Sequence, residues 1–359
     1  MILASADAAL AARAYIGTYT PNLADPTAYA NGSGEGIYLV NVDDATGALS
    51  GLKLVAKDKS PAWFALSADH RLLYAVNEID SYGAAKSGSV TAYAVDAKSG
   101  ALKKLNTVDS GGAGPCFISI HASGKFALVA NYIGGSFSVL PIKADGSLGE
   151  ASDVIKPGGP AASASAVDAP PGQAPAAPNR PTHGHMIASD PSGQYVVGDD
   201  AGRDRIFVWR LDTATGKLNE VSVTRALAGS APRHFGFSPD GKTLYQIGEY
   251  NARLTTYGFA DGKLTLKGKS LSAMPDGYQG SGSASRMMVA PNGRNVYSAN
   301  RTHNSIATFG VGADGLATKL ANTPTEGEHP RSLTVDPGSK FLYSLNLRAN
   351  NIALFRIGP

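Results

Sequence analysis

Apolar and polar positions alternate along this chain in short runs, without the sustained spacing of three and four that marks an amphipathic helix. Six runs share one form: LLYAVNE ending at Glu78, FALVANY at Tyr132, YVVGDD at Asp200, LYQIGE at Glu249, VYSANR at Arg301 and FLYSLN at Asn346. AYIGTY from Ala14 is a seventh copy. β-Branched and aromatic residues dominate these runs and Gly and Pro bound them, as strands require. Each of the six follows a tight turn: SADHR from Ser67, HASGK from His121, DPSGQ from Asp190, SPDGK from Ser238, APNGR from Ala290 and DPGSK from Asp336. A third run follows every copy, from GIYLVNVD at Gly36 to NIALFRI at Asn351, and most lead into a Gly-x-Leu turn such as TGAL ending at Leu49.

Marker positions Asn77, Asn131, Asp199, Glu249, Asn300 and Asn346 recur about every 50 residues, with a longer interval before Asp199. A unit of that length with four strands reads as a propeller blade, and an extended solenoid usually has a shorter period. Seven units predict an all-β, seven-bladed β-propeller of four-stranded antiparallel blades over residues 14–359. With strands a to d in each unit, the Pro-Ser-Gly-type turns join a to b and the Gly-x-Leu turns join c to d. Both then lie on one face. The other face carries the starts of a, the ends of b and the longer loops, where chemistry usually sits. It collects Asn77 and Glu78, Asn131 and Tyr132, His183 and His185, Asp199 and Asp200, Arg233 and His234, Glu249, Arg286, Asn300 and Arg301, His329 and Arg331, and Asn346.

The chemistry of that set points to a charged mouth. His183 and His185 are two apart, so on a strand both point to one side. They can serve as a general base and its helper, or as part of a metal site with a carboxylate from Asp199 or Glu249. Arg233, Arg286, Arg301 and Arg331 read as coming from four different blades. They can grip a carboxylate or phosphate, or form an ion-pair ring between blades. Glu249 beside them is a candidate acid or base. Asn77, Asn131, Asn300 and Asn346 recur with the repeat, which favours capping of strand ends, with Asn131 and Asn300 also next to the mouth. Cys116 reads as a small buried thiol.

Composition changes this picture only by exclusion. The 359 residues are 43% apolar and 17% charged, ample for a core. Lys plus Arg is 32 and Asp plus Glu is 29, a balance that gives no reason to expect nucleic acid as a partner. The 42 Gly and 21 Pro fit many short strands. A single cysteine excludes an internal disulfide. No apolar run reaches the roughly 18 residues of a membrane-spanning helix, so no membrane partner is expected. SGGAGP around Gly112 lacks the following helix of a phosphate loop. Residues 1–13 read as an N-terminal tail, the remnant of a removed signal peptide or a frayed end. The Ala- and Pro-rich stretch at about 150–182 reads as an insertion forming a partial lid.

The motifs YIGTYT from Tyr15, GPCFISI from Gly114, NYIGGS from Asn131, HGH from His183, PRHFGFSPDG from Pro232, GEY ending at Tyr250, SANR ending at Arg301 and HPRSLTVDP from His329 resemble those of the seven-bladed lactonase family. That family includes propeller-type 6-phosphogluconolactonases and carboxymuconate lactonizing enzymes. The resemblance covers essentially the whole chain from Tyr15. It implies a sugar-lactone hydrolase, 6-phosphogluconolactonase-like, with no metal or other cofactor, and a small anionic lactone as substrate. His185, Glu249 and Arg233 are its implied catalytic residues. His183, Arg301, Asn300, Arg286, Asn131, Tyr132, Arg331 and His234 are the expected substrate-binding residues. A lactonizing cycloisomerase needs nearly the same groups, and a non-catalytic binding propeller is the alternative of another class. Monomer is the family default. A phosphorylated substrate implies the cytoplasm, and a free lactone an exported enzyme. Family members usually continue past the last c strand, and here the chain stops at Pro359. The expectation is truncation, in preference to Met1–Arg13 filling the gap.

Overall fold

The computed structural model describes residues 2–4, 12–22, 31–158 and 180–358. All regular structure among them is β. The first sheet has the order β1 (Ile2–Ala4), β2 (Ala12–Gly17), β3 (Gly36–Val42), β4 (Leu49–Lys57). The second is β5 (Pro61–Leu66), β6 (Leu72–Asn77), β7 (Ser89–Val95), β8 (Leu102–Asp109). The third is β9 (Pro115–Ile120), β10 (Phe126–Asn131), β11 (Ser136–Pro141), β12 (Asp153–Ile155). The fourth is β13 (Gly184–Ser189), β14 (Val196–Asp200), β15 (Arg205–Asp212), β16 (Lys217–Arg225). The fifth is β17 (Pro232–Phe237), β18 (Thr243–Gly248), β19 (Arg253–Ala260), β20 (Lys263–Ser272). The sixth is β21 (Ala284–Val289), β22 (Asn295–Asn300), β23 (Ser305–Val311), β24 (Ala317–Pro324). The seventh has three strands, β25 (Pro330–Val335), β26 (Phe341–Asn346) and β27 (Asn351–Arg356). The fold is a seven-bladed β-propeller, as the repeat predicts.

Two expectations are corrected. Residues 1–13 are not simply a tail, because Ile2–Ala4 pair antiparallel with β2 and give the first sheet its fourth strand. The stretch 150–182 is not all insertion, because Asp153–Ile155 pair with Phe137–Val139 as the outer strand of the third sheet. Asp153 anchors that strand by accepting the Leu218 N–H at 2.8 Å, and the Ser152 hydroxyl donates to Gly216 O at 3.0 Å. Residues 159–179, the heart of the expected lid, lie outside the described residues.

The repeat has a physical basis in backbone conformation. The fourth residue of each of the six described a–b turns is left-handed: His70, Gly124, Gly193, Gly241, Gly293 and Ser339 all have φ between 53° and 73°. Glycine fills four of those six places because it adopts that region without strain. SADHR and DPGSK look irregular only because His70 and Ser339 take the same conformation. Acidic side chains close other turns: Asp43 accepts the Thr46 N–H and Asp96 the Ser99 N–H, each at 2.7 Å. Buried tyrosines then tie sheet to sheet. Tyr15, Tyr74 and Tyr245 donate their hydroxyls to the carbonyls of Gly100, Gly146 and Gly315, each in the c–d turn of another sheet.

The chain divides into two compact units. Unit 1 holds residues 1–157, 182–189 and 210–219, and unit 2 holds 158–181, 190–209 and 220–359. In unit 1, Tyr74, Val76, Val90, Ile118, Val129 and Leu140 pack together between sheets. In unit 2, Tyr245, Ile247, Leu254, Met287, Val296 and Phe309 do the same.

Candidate active site

Register explains why this fold presents arginine. Strands β5, β9, β17, β21 and β25 each lose register just after their first residue. The residues left out of the ladder are Ala62, Cys116, Arg233, Ser285 with Arg286, and Arg331. A bulge bends the strand and re-aims the unpaired side chain. The second contribution comes from the residue just past the end of each b strand. Glu78, Tyr132, Glu249, Arg301 and Leu347 each donate their N–H to a carbonyl preceding strand a, namely Ser60, Gly114, Ala231, Ser283 and His329.

In unit 2 these two positions meet. The Glu249 carboxylate lies between two guanidiniums: Arg233 Nε donates to Oε2 at 3.2 Å, and an Arg301 amino group donates to Oε1. Arg233 is 1% exposed and Arg301 8% exposed at their side chains, so this pairing is shielded from solvent. Burial pushes the Glu249 pKa up, but Arg233, Arg301 and Arg331 outweigh it and leave the carboxyl below the ordinary glutamate value. Arg233 also approaches His234 Nε2 at 3.5 Å. Burial, with Arg233 nearby, lowers Arg286 to about 9. Arg301 donates again to Ala284 O at 3.1 Å, and its Nε has no acceptor among the described residues.

A cavity of about 450 Å³ opens beside this cluster, lined by Ser283, Arg301, Thr302, Asn304, Glu328, His329 and Arg348. The His329 N–H is held by Asn304 Oδ1 at 2.8 Å. Its φ of 58° belongs to the repeat, since Ser60, Gly114 and Ala231 before the other starting prolines are also left-handed. What is particular here is the imidazole. Burial and then Arg301, Arg348, Arg331 and Arg233 lower its pKa to about 4, so the ring is neutral at physiological pH. Its Nε2 is buried without a partner among the described residues.

In unit 1, Tyr132 stacks on His183 with ring centroids 4.5 Å apart and meets His185 edge-on at 5.5 Å. His183 Nδ1 lies 2.8 Å from Tyr132 O, which assigns the proton to that nitrogen. His185 is 4% exposed, and its Nδ1 is 3.8 Å from Cys116 Sγ. Cys116 is buried, as a small apolar residue would be.

The structure thus gathers Arg233, Glu249, Arg301, His234, Arg286 and Arg331 in one unit and Tyr132, His183 and His185 in the other. Asn131 and Asn300 are placed differently from the expected substrate contacts. Both are fully buried. Asn131 donates to Ser110 O at 3.1 Å and Asn300 to Ala273 O at 2.7 Å. Asn77 and Asn346 make the equivalent bonds to Lys59 O and Thr325 O. In each case the amide at the end of strand b pins the loop that enters strand a. Asp199, offered as a carboxylate for a metal, is sealed from solvent with neither oxygen hydrogen-bonded among the described residues. Burial, and then Asp200, raise its pKa well above the usual value.

A protein-family model described as "Lactonase, 7-bladed beta-propeller" matches residues 13–359. The chain belongs to this family. A 6-phosphogluconolactonase of Bacillus subtilis is 32% identical over 344 residues, covering 95% of this chain and 90% of the relative. A 6-phosphogluconolactonase of Formosa agariphila is 28% identical, covering 90% and 88%. The solved structure of a periplasmic gluconolactonase from Pseudomonas aeruginosa superposes with a TM-score of 0.83 at 29% identity, covering 96% and 92%.

Three residues that line this cavity were missed in the sequence. Asn304, Glu328 and Arg348 line the cavity, and none stands out by type. Arg348 follows Leu347, the residue aligned with Glu249 and Arg301, and that offset is the signal that marks it. The register also shows that Gly248, not Glu249, aligns with the recurring asparagines. Pro232 pairs with Gly248 as Pro115 pairs with Asn131 and Ala284 with Asn300. Glu249 is therefore one position beyond the marker and shares its place with Tyr132 and Arg301.

Proposed function

We propose that this protein hydrolyses a sugar lactone, with 6-phosphogluconolactone as the favoured substrate. The observation that carries this reading is the mostly shielded Glu249 carboxylate held by Arg233 and Arg301, with Arg301 also forming a wall of the 450 Å³ cavity. The names of the B. subtilis and F. agariphila relatives support the substrate class.

Glu249 acts as general base. It takes a proton from water as the water oxygen attacks the lactone carbonyl carbon. Its lowered pKa makes it a modest base, but an ionised one at every pH above the glutamate range. Arg301 faces the developing oxyanion, and its unused Nε–H supplies a donor. The ring C–O bond then breaks, and the leaving ring oxygen takes up a proton to become a hydroxyl. The net change is lactone plus water to hydroxycarboxylate plus a proton.

The released proton is the readout. In a pH-stat, with spontaneous opening subtracted, 6-phosphogluconolactone and glucono-1,5-lactone are compared on the wild type. Acceleration of at least one supports the reading. Acceleration of neither removes it and favours the cycloisomerase or the binding propeller.

A further inference from the structure

We propose that Arg348 is the specificity-determining residue of this site and receives the phosphomonoester of the substrate. The proposal rests on the lactonase reading above and adds the residue that would distinguish a phosphorylated lactone from a free one.

Arg348 is exposed and lines the same cavity as Arg301. Arg301 is committed to Glu249 and Ala284 O. Arg348 is not so engaged, for among the described residues its guanidinium makes no ion pair or hydrogen bond. Glu328 lines the same cavity, and the Arg348 N–H donates to Glu328 O at 3.2 Å. Their side chains nevertheless form no salt bridge. A guanidinium left in this state beside a cavity presents a fork of donors that matches the oxygens of a phosphomonoester.

The surroundings favour an anion. Burial, and then Arg301, Arg348, Arg331 and Arg233, oppose protonation of His329 in the cavity wall. The imidazole therefore adds no charge of its own. One cavity of about 450 Å³ holds a single sugar phosphate and little more. Arg301 and Arg348 line the same cavity, so a molecule held there has both guanidiniums in its walls. A phosphomonoester is close to dianionic at neutral pH, so this contact carries a charge-assisted bond that the free lactone lacks.

The test compares wild type with Arg348→Gln and Arg348→Lys on both lactones in the pH-stat. The quantity read is the ratio of kcat/KM for 6-phosphogluconolactone to that for glucono-1,5-lactone. We expect Arg348→Gln to lower this ratio about 10- to 100-fold, chiefly through KM for the phosphorylated substrate, and Arg348→Lys to restore part of it. An unchanged ratio overturns the assignment, as does a wild type that turns over only the free lactone. Binding of 6-phosphogluconate by calorimetry is measured in parallel and needs no turnover. If the wild type hydrolyses neither lactone, the lactonase reading fails, and calorimetry alone decides Arg348. Wild-type binding lost in Arg348→Gln supports the anion contact, and no wild-type binding overturns it.

Discussion

At the scale of single residues, protonation separates the site from its surroundings. Glu249 is held in its ionised form because two guanidiniums face it, whereas burial, and then Asp200, raise the Asp199 pKa well above the usual value. His329 is neutral because burial, and then Arg301, Arg348, Arg331 and Arg233, lower its pKa to about 4. This has a consequence for stability against pH. The folded-state pKa of His329, about 4, lies below its unfolded value of 6.5. Between those values the unfolded chain takes up a proton that the folded chain refuses, so stability falls as pH falls through that window. Glu249 contributes in the same direction lower down. Its folded pKa is depressed, and its stabilisation is lost as pH drops below about 4.5. Replacing His329 with Asn, which tolerates the left-handed backbone, should flatten the fall in Tm between pH 6.5 and 4. Thermal melts across that range check it, and an unchanged slope would place the titration elsewhere.

At the scale of elements, alternation and turn chemistry made the strands and their order legible. The seven copies of the b strand, the a–b turns and the Gly-x-Leu turns all fall where the repeat predicts. Side-chain roles were less legible because they depend on register. A one-residue offset separates Gly248 from Glu249, and the bulge after Pro232 that frees Arg233 has no spelling of its own. The short strands β1 and β12 were missed because neither Ile2–Ala4 nor Asp153–Ile155 has enough residues to show an alternation. The asparagines show how repetition and site can be confused. Asn131 and Asn300 sit one residue before Tyr132 and Arg301, yet their amides are spent on loop carbonyls. Replacing Asn300 with Ala should cost about 1–3 kcal/mol of stability and leave KM for the lactone unaltered. Chemical denaturation and steady-state kinetics on the same preparation test this. A raised KM without lost stability would return Asn300 to the substrate site.

At the scale of the whole molecule, a net charge of only +3 conceals a concentration of cations in unit 2. Arg233, Arg286, Arg301 and Arg331 come from three sheets and not from the four blades expected, because Arg286 in β21 and Arg301 just after β22 both belong to the sixth, and Arg348 joins them from the loop after β26. Sequence composition could not reveal this, because the count is balanced and the asymmetry exists only after folding. A field of this kind is screened by salt. Raising ionic strength from about 0.01 M to 0.15 M shortens the Debye length from about 30 Å to 8 Å. KM for 6-phosphogluconolactone should rise over that range, and KM for glucono-1,5-lactone should not. Equal responses would mean that the cations do not act on the substrate.

The most direct test is the Glu249→Gln variant, assayed for proton release on 6-phosphogluconolactone beside the wild type. The change keeps the shape of the side chain but removes the base and the charge that Arg233 and Arg301 share. It should also cost about 3–5 kcal/mol of stability, so the assay is run well below the Tm of the variant. The account predicts a fall in kcat of about 100-fold or more in folded protein. A folded Glu249→Gln variant that keeps wild-type kcat would contradict it.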